Sequence, residues 1–280
     1  MTGNPAASPI HRDIRLPSGR RHHFVSVGAG GPRVVLLHGF TDSWRSFELL
    51  FAPLSAKFQL FALDQRGHGA SEPGDSYAIG DFADDAIAFI ESLGGEPVHL
   101  IGHSLGSIVA QRVAQARPDL LASLILISAA PSAAGHAGLL AMRDDLAAFA
   151  THVPRDYARG FQASTAHRPI APAQLDIFVD ESMKLGLDAW RRTVDGLLGD
   201  TALADPINVP TLSIWGVRDA VFDALAQQAL AHKIPGLVAA HYEDVGHAPH
   251  WEAPAKVARD IERFILSLPA RPDTKAAHRS

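Results

Sequence analysis

Ser104 stands between two glycines in Gly102-His103-Ser104-Leu105-Gly106, where an apolar run that starts at Val98 ends and a helical pattern begins. A serine hydroxyl is a weak nucleophile at neutral pH. It attacks a carbonyl only when a base within hydrogen-bond reach takes its proton and a third group orients that base. Glycines two before and two after the serine let a sharp strand-to-helix turn pack closely and expose the hydroxyl at its tip. The helix that follows would aim its free N–H groups at negative charge developing there. An ordinary strand–helix turn could use the same residues, so partners elsewhere in the chain have to decide.

After such a serine the acid and then the base are expected in chain order. Asp219 follows the apolar run Thr211–Gly216, and His247 lies in "YEDVGHAPHWE" beyond a short strand at Val238–Tyr242. Both fall at C-terminal ends of strands, where open parallel sheets carry their sites. Asp223 competes as the acid but lies deeper in the next helical pattern, and Asp244 is too near His247 in sequence. His250 competes as the base, but the turn Val245-Gly246-His247-Ala248-Pro249 is tighter and favours His247. His103 adjoins the serine, and neighbouring side chains diverge at such a turn, so local packing is its expected role. Charge on a tetrahedral intermediate needs two donors. The backbone N–H of Leu105 is one; Phe40, after the His38-Gly39 turn, is the other.

These groups need a frame. The runs Arg33–Gly39, Phe58–Asp64, Val98–Ser104, Ser123–Ser128 and Thr211–Gly216 are almost continuously apolar, as in strands buried on both faces of a parallel sheet. Helical patterns cover Trp44–Ala56, Ile79–Leu93, Leu105–Ala116 and Pro254–Leu268, and "IRLPSGRRHHFVSVGAGG" reads as two strands joined by a Pro-Ser-Gly turn. This alternation predicts an α/β fold, a mostly parallel sheet flanked by helices. From Pro131 to Ala204 the strand rhythm stops, and "GLLAMRDDLAAFATHV", "APAQLDIFVDESMKL" and "LDAWRRTVDGLLGD" predict helices. A helical cap inserted into the sheet explains this stretch; an elaborated crossover with no role in the site is the alternative. Residues 1–130 and 205–268 then form the core, 131–204 the cap and 269–280 a mobile polar tail. "GFQAS" and "DAWRRTVDGLL" are expected to line the pocket, and Trp190, His136, His152 and His167 are candidates to touch substrate.

"LLHGFTDSW", "LDQRGHGAS", "GHSLGS", "WGVRDAVF" and "VGHAPHWEAP", in that order, resemble the α/β-hydrolase fold family from about Ile14 to Leu268. The resemblance implies a mostly parallel eight-stranded sheet, a helical lid and no cofactor. It assigns Ser104 as nucleophile, Asp219 as acid, His247 as base, Phe40 and Leu105 as oxyanion donors, and Arg66 and His68 as structural residues. Haloalkane dehalogenases and epoxide hydrolases of this fold carry aspartate at the nucleophile position; serine there points to acyl transfer. Threonine after His-Gly-Phe also separates the chain from lipases with a His-Gly-Gly-Gly loop. The expected function is hydrolysis of a carboxylic ester or lactone of a small to medium apolar molecule through an acyl-enzyme. A carbon–carbon bond hydrolase, a cofactor-free perhydrolase and a non-catalytic ligand receptor are the alternatives.

Composition bounds these readings. The 280 residues are 47% hydrophobic, enough for one large domain with an insert, and carry a net charge of −5. No basic stretch invites nucleic acid, and no apolar run reaches the roughly 18 residues that span a bilayer. The absence of cysteine removes thiol catalysis and disulfides. His22-His23 and the pair His247/His250 lack a third ligand nearby, so no metal site is expected. The start, "MTGNPAASPIHRD", has no apolar h-region, so no signal peptide and a cytoplasmic location are expected. Oligomeric state stays open.

Overall fold

Alternate residues of the central strands point into two different cores. In β3 (Arg33–Leu37), Val34 and Leu36 enter one apolar cluster and Val35 and Leu37 the other. In β6 (Leu121–Ile127), Leu124 and Leu126 face one side and Ile125 and Ile127 the opposite side. A strand with period-two side chains and both faces buried must lie inside a sheet covered by helices twice. The computed structural model describes residues 8–201 and 205–269. Its remaining strands are β1 (Ile10–Arg15), β2 (Arg21–Val27), β4 (Gln59–Leu63), β5 (Val98–His103), β7 (Thr211–Gly216) and β8 (Val238–Tyr242). They form one eight-stranded sheet in the order β1-β2-β4-β3-β5-β6-β7-β8. β2 pairs antiparallel with β1 and with β4; every other pairing is parallel.

One face is covered by α2 (Ile79–Leu93) and α3 (Leu105–Ala116), the other by α1 (Glu48–Leu54) and α10 (Pro254–Ser267). From β3 the chain steps sideways to β4 and then returns to β5 on the opposite flank. That reversal leaves a crevice beyond the C-terminal ends of β3 and β5, the place where such sheets bind ligands. Between β6 and β7 the chain forms α4 (Ala137–Ala148), α5 (Arg155–Ser164), α6 (Pro172–Ser182) and α7 (Leu187–Gly199). Buried Leu146, Ala158, Trp190 and Leu197 of this insert join the same apolar cluster as α2 and α3. After β7 come α8 (Ala224–Lys233) and the short α9 (Pro249–Glu252).

Some element readings change. The helix expected over Trp44–Ala56 divides into a 3₁₀ turn, Trp44–Phe47, and α1. Asp64 accepts a hydrogen bond from the Trp44 amide at 2.8 Å, and Ser43 caps the turn through the Arg45 amide. That anchoring tightens the first turn. The insert holds four helices rather than three. The unexpected one, α5, sets a single-turn apolar stripe of Tyr157, Ala158 and Phe161 against the core, a stripe too short to stand out among its polar and charged neighbours. No described helix is long and apolar enough to cross a membrane. Of the segment read as a tail, residues 270–280 lie outside the described residues, as do 202–204 of the insert.

Candidate active site

The turn between β5 and α3 holds Ser104 at φ +50° and ψ −115°, outside the regions that non-glycine residues prefer. Such strain costs on the order of 1–3 kcal/mol and persists only where the surroundings enforce it. Here they do. A Cβ on Gly102 would fall 2.2 Å from the Gly106 carbonyl oxygen, and one on Gly106 would fall 2.1 Å from that of Leu37. The Ser104 amide donates to the Ile127 carbonyl at 3.1 Å, tying the turn to β6.

His247 Nε2 lies 2.9 Å from Ser104 Oγ. Its Nδ1 lies 2.9 and 3.0 Å from the two carboxylate oxygens of Asp219. Asp219 also accepts the amides of Val221 and Phe222 at 2.7 and 3.0 Å. Burial alone would raise the Asp219 pKa; the facing His247 and the bonds from the imidazole and both amides outweigh burial and hold it below the usual carboxylate range. An ionised carboxylate only accepts, so Nδ1 carries the proton and Nε2 is bare toward the serine hydroxyl. The His247 amide donates to the Thr165 carbonyl at 2.8 Å. Glu252 accepts the amides of Gly246 and Arg168, each at 2.8 Å, so the insert and the histidine loop share one carboxylate.

The loop after β3 closes the other side. His38 Nδ1 donates to the Gly39 carbonyl at 2.8 Å, and its Nε2 accepts the Gln65 amide at 3.0 Å. Burial lowers the His38 pKa, consistent with that neutral tautomer. Phe40 and Leu105 border the same cavity as Ser104 and His247. The Phe40 ring stands edge-on to Trp190 and Phe161 of the insert, with centroids 5.0 and 5.9 Å away.

The cavity measures about 60 Å³, room for roughly four to six waters or a short acyl chain. Leu139, Phe161, Leu197, Val221, Phe222 and Trp251 make most of its wall apolar. Its polar side is Asp42, His103, Gln162 and Thr165. Asp42 Oδ1 accepts Gln162 Nε2 at 3.0 Å and Oδ2 accepts the Ser46 hydroxyl at 3.0 Å. Burial pushes the Asp42 carboxyl up to about 7 against the opposing pull of those two hydrogen bonds.

Ser104, Asp219 and His247 are thus brought together by three separate loops. Asp223 instead caps α8 by accepting the Ala226 amide at 3.0 Å, and Asp244 is exposed. His250 bonds Ser46 Oγ through Nε2 at 3.1 Å and packs 4.4 Å from the His103 ring. His103 does more than pack: its Nε2 donates to the His247 carbonyl at 3.0 Å and its ring lines the cavity. Arg66 bonds Asp85 at 2.7 Å and the Ser76 and Asp81 carbonyls, all within the scaffold. His68 is buried under His38, and burial first, then that neighbour, drives its pKa down to about 3.

Of the insert stretches expected at the pocket, Phe161, Gln162 and Leu197 reach it. Trp190 stands one layer behind Phe40, His136 caps α4 and reaches the Val221 carbonyl, and exposed His152 bonds Thr151. Asp42 was missing from the expected set, although it follows His38-Gly39-Phe40 by two residues; an acid in a turn has no sequence signal separating cavity from solvent. His22 and His23 face Asp85 and Asp64 at 3.3 and 2.8 Å. Among the described residues no group of three acidic or histidine side chains could hold a metal.

The sequence profile of a family described as the Alpha/beta hydrolase family matches residues 34–260. The chain is 27% identical to an uncharacterized protein of Mycobacterium tuberculosis over 96% of its own length and 85% of the relative's. It is 26% identical to the (E)-2-((N-methylformamido)methylene)succinate hydrolase of Acinetobacter baylyi, covering 93% of the chain and 100% of that protein. Among solved structures, an esterase from Exiguobacterium antarcticum superposes with a TM-score of 0.84 at 22% identity, covering 92% of this chain and 100% of that one. At that identity the likeness concerns the fold alone.

Proposed function

Since this chain belongs to the alpha/beta hydrolase family, we propose that it is a serine hydrolase cleaving carboxylic ester or lactone bonds of small to medium apolar substrates. The observation that carries this reading is the contact of His247 Nε2 with Ser104 Oγ at 2.9 Å, with Nδ1 on Asp219, at the wall of an apolar cavity. Ser104 Oγ attacks the acyl carbon while its proton passes to His247 Nε2. Asp219 stabilises the imidazolium that forms. The oxyanion rests on the N–H groups of Phe40 and Leu105. As the tetrahedral intermediate collapses, the C–O bond breaks and the leaving alkoxide takes the proton from His247. Water then attacks the acyl-enzyme, giving its proton to His247, and the free acid and Ser104 are released. The helical insert acts as a cap that dries the site. A side chain at the elbow that is serine rather than aspartate supports acyl transfer over epoxide opening through an alkyl-enzyme.

The test is a panel of p-nitrophenyl esters and lactones read beside a ring-fission dienoate and peracid formation from acetate. Wild type is expected to turn over esters or lactones and to be labelled by a fluorophosphonate. Ser104→Ala should lose the label and about 10⁴-fold or more of kcat. Full ester turnover by Ser104→Ala would overturn the proposal; an unlabelled, inactive wild type would favour a ligand receptor.

A further inference from the structure

Every side chain bordering the cavity can be sorted by the charge it offers a substrate. No lysine or arginine does so among the described residues. The nearby guanidinium of Arg45 is engaged by Glu48 at 3.0 Å and Glu181 at 3.4 Å. His103 cannot serve as a cation. Its Nε2 donates to a carbonyl, so the bare Nδ1 is left to face Asp42 Oδ2 at 3.9 Å, buried and without a hydrogen-bond partner. Asp42 is therefore a buried carboxyl in the wall of the candidate pocket, held by Gln162 and Ser46 and faced by no lysine or arginine.

We infer that Asp42 is a specificity-determining residue that restricts the pocket to acyl groups without a negative charge, refusing succinyl or glutaryl esters while admitting butyryl or valeryl ones. This rests on the esterase reading above. A second carboxylate in so small a cavity would give up its hydration, meet a like charge and find no lysine or arginine; the one transient cation at the wall, the His247 imidazolium, is already paired with Asp219. An alkyl chain of the same length gives up nothing polar. Specificity by such a repulsive element needs no new contact to the favoured substrate.

The filter depends on pH because Asp42 titrates near neutrality. The other ionisable groups facing it are His103 from β5, His247 from the loop after β8, His250 through the shared Ser46, and Glu181 from α6, itself paired with Arg45 and Lys184. Burial and the neighbouring imidazoles keep His103 and His250 neutral across the working range. Glu181 and Asp42 repel, which adds to the proton affinity of Asp42.

The experiment compares kcat/KM for p-nitrophenyl butyrate and mono-p-nitrophenyl succinate, whose acyl groups differ chiefly by carboxylate for methyl. Taking the ratio cancels every pH effect that the two substrates share. In wild type it should favour butyrate by about 100-fold or more at pH 8, and it should shrink about tenfold between pH 8.5 and pH 6. In Asp42→Asn it should fall about tenfold or more and lose its pH dependence. A ratio unchanged in Asp42→Asn overturns the inference. So does a pH-flat ratio in wild type, which needs no variant to fold. Binding of butyramide and succinamate to Ser104→Ala, followed by calorimetry, separates the two claims. Absence of turnover in wild type with a tenfold preference for butyramide defeats the esterase reading alone; equal binding defeats the charge filter alone.

Discussion

Asp219 makes four hydrogen-bond contacts at 2.7 to 3.0 Å, two with His247 Nδ1 and two with backbone amides. Only an acceptor satisfies all of them. In Asp219→Asn the amide nitrogen would meet a donor, and His247 would turn its bare nitrogen away from Ser104. We expect kcat on a p-nitrophenyl ester to fall about 10⁴-fold with the fold intact by circular dichroism; a fall below tenfold would contradict that role. Gly102 has no room for a methyl group, because backbone atoms of Gly106 and Ser107 fill it. Gly102→Ala should destabilise the protein by about 2–4 kcal/mol, measured by urea unfolding. Asp42 makes a pH prediction with a definite sign. Its carboxyl rises to about 7 in the folded state, against about 3.9 unfolded. The folded state therefore holds this proton more tightly. The stability it contributes is full below about pH 4 and is lost as pH climbs to about 7, up to about 4 kcal/mol in all. Asp42→Asn should accordingly gain stability relative to wild type on moving from pH 4 to pH 8, and an unchanged gap between the two urea curves would refute this.

Elements differ in how openly the sequence writes them. α2 and α3 occupy the spans expected of them, Ile79–Leu93 and Leu105–Ala116, because one face of each buries a regular apolar stripe. α5 stayed hidden because its buried face includes Gln162, a residue whose place is explained only by Thr41, Asp42 and Ser182 across the interface. The insert is fastened at both ends by one side chain of α3. Arg112 bonds Asp200 and the Thr201 carbonyl at its exit and the Pro131 carbonyl at its entry, the last two at 2.6 and 3.5 Å. Since Ser104 is the N-cap of α3, the helix behind the proposed nucleophile and the insert are joined. Arg112→Met should leave Asp200 unpaired and partly buried, lowering stability by about 2–3 kcal/mol. Hydrogen exchange should show faster opening of α4 and α7 than of β5; equal protection in both proteins would show that the insert does not depend on this clamp.

At the scale of the whole molecule, the topology decides where chemistry can occur. The reversal between β3 and β5 opens the crevice, and the loops after β3, β5, β7 and β8 converge over it. The insert roofs it with Leu139, Phe161 and Leu197, leaving about 60 Å³. Under the proposed esterase reading, a cavity of this size suits short acyl chains. Leu197→Ala, which deepens it, should shift the preferred p-nitrophenyl ester by roughly one to three carbons toward longer chains, at a cost in stability of about 2–4 kcal/mol. An unaltered chain-length profile would place the acyl group elsewhere.

The sequence by itself determined the α/β class, the strands that carry the site and the spacing of Ser104, Asp219 and His247, because each depends on local rules. Apolar runs write buried strands, and glycines write a tight turn. It also held Asp42, His103 and Gln162 in plain view without indicating that they meet. Asp42 and Gln162 are 120 positions apart, and their 3.0 Å contact arises only when the insert settles on the loop after β3. Whether a carboxyl faces water or an apolar cavity is a property of the packed molecule, since desolvation is exerted by everything around it. The tertiary structure alone therefore decided the charge of the pocket wall and the room left for a substrate.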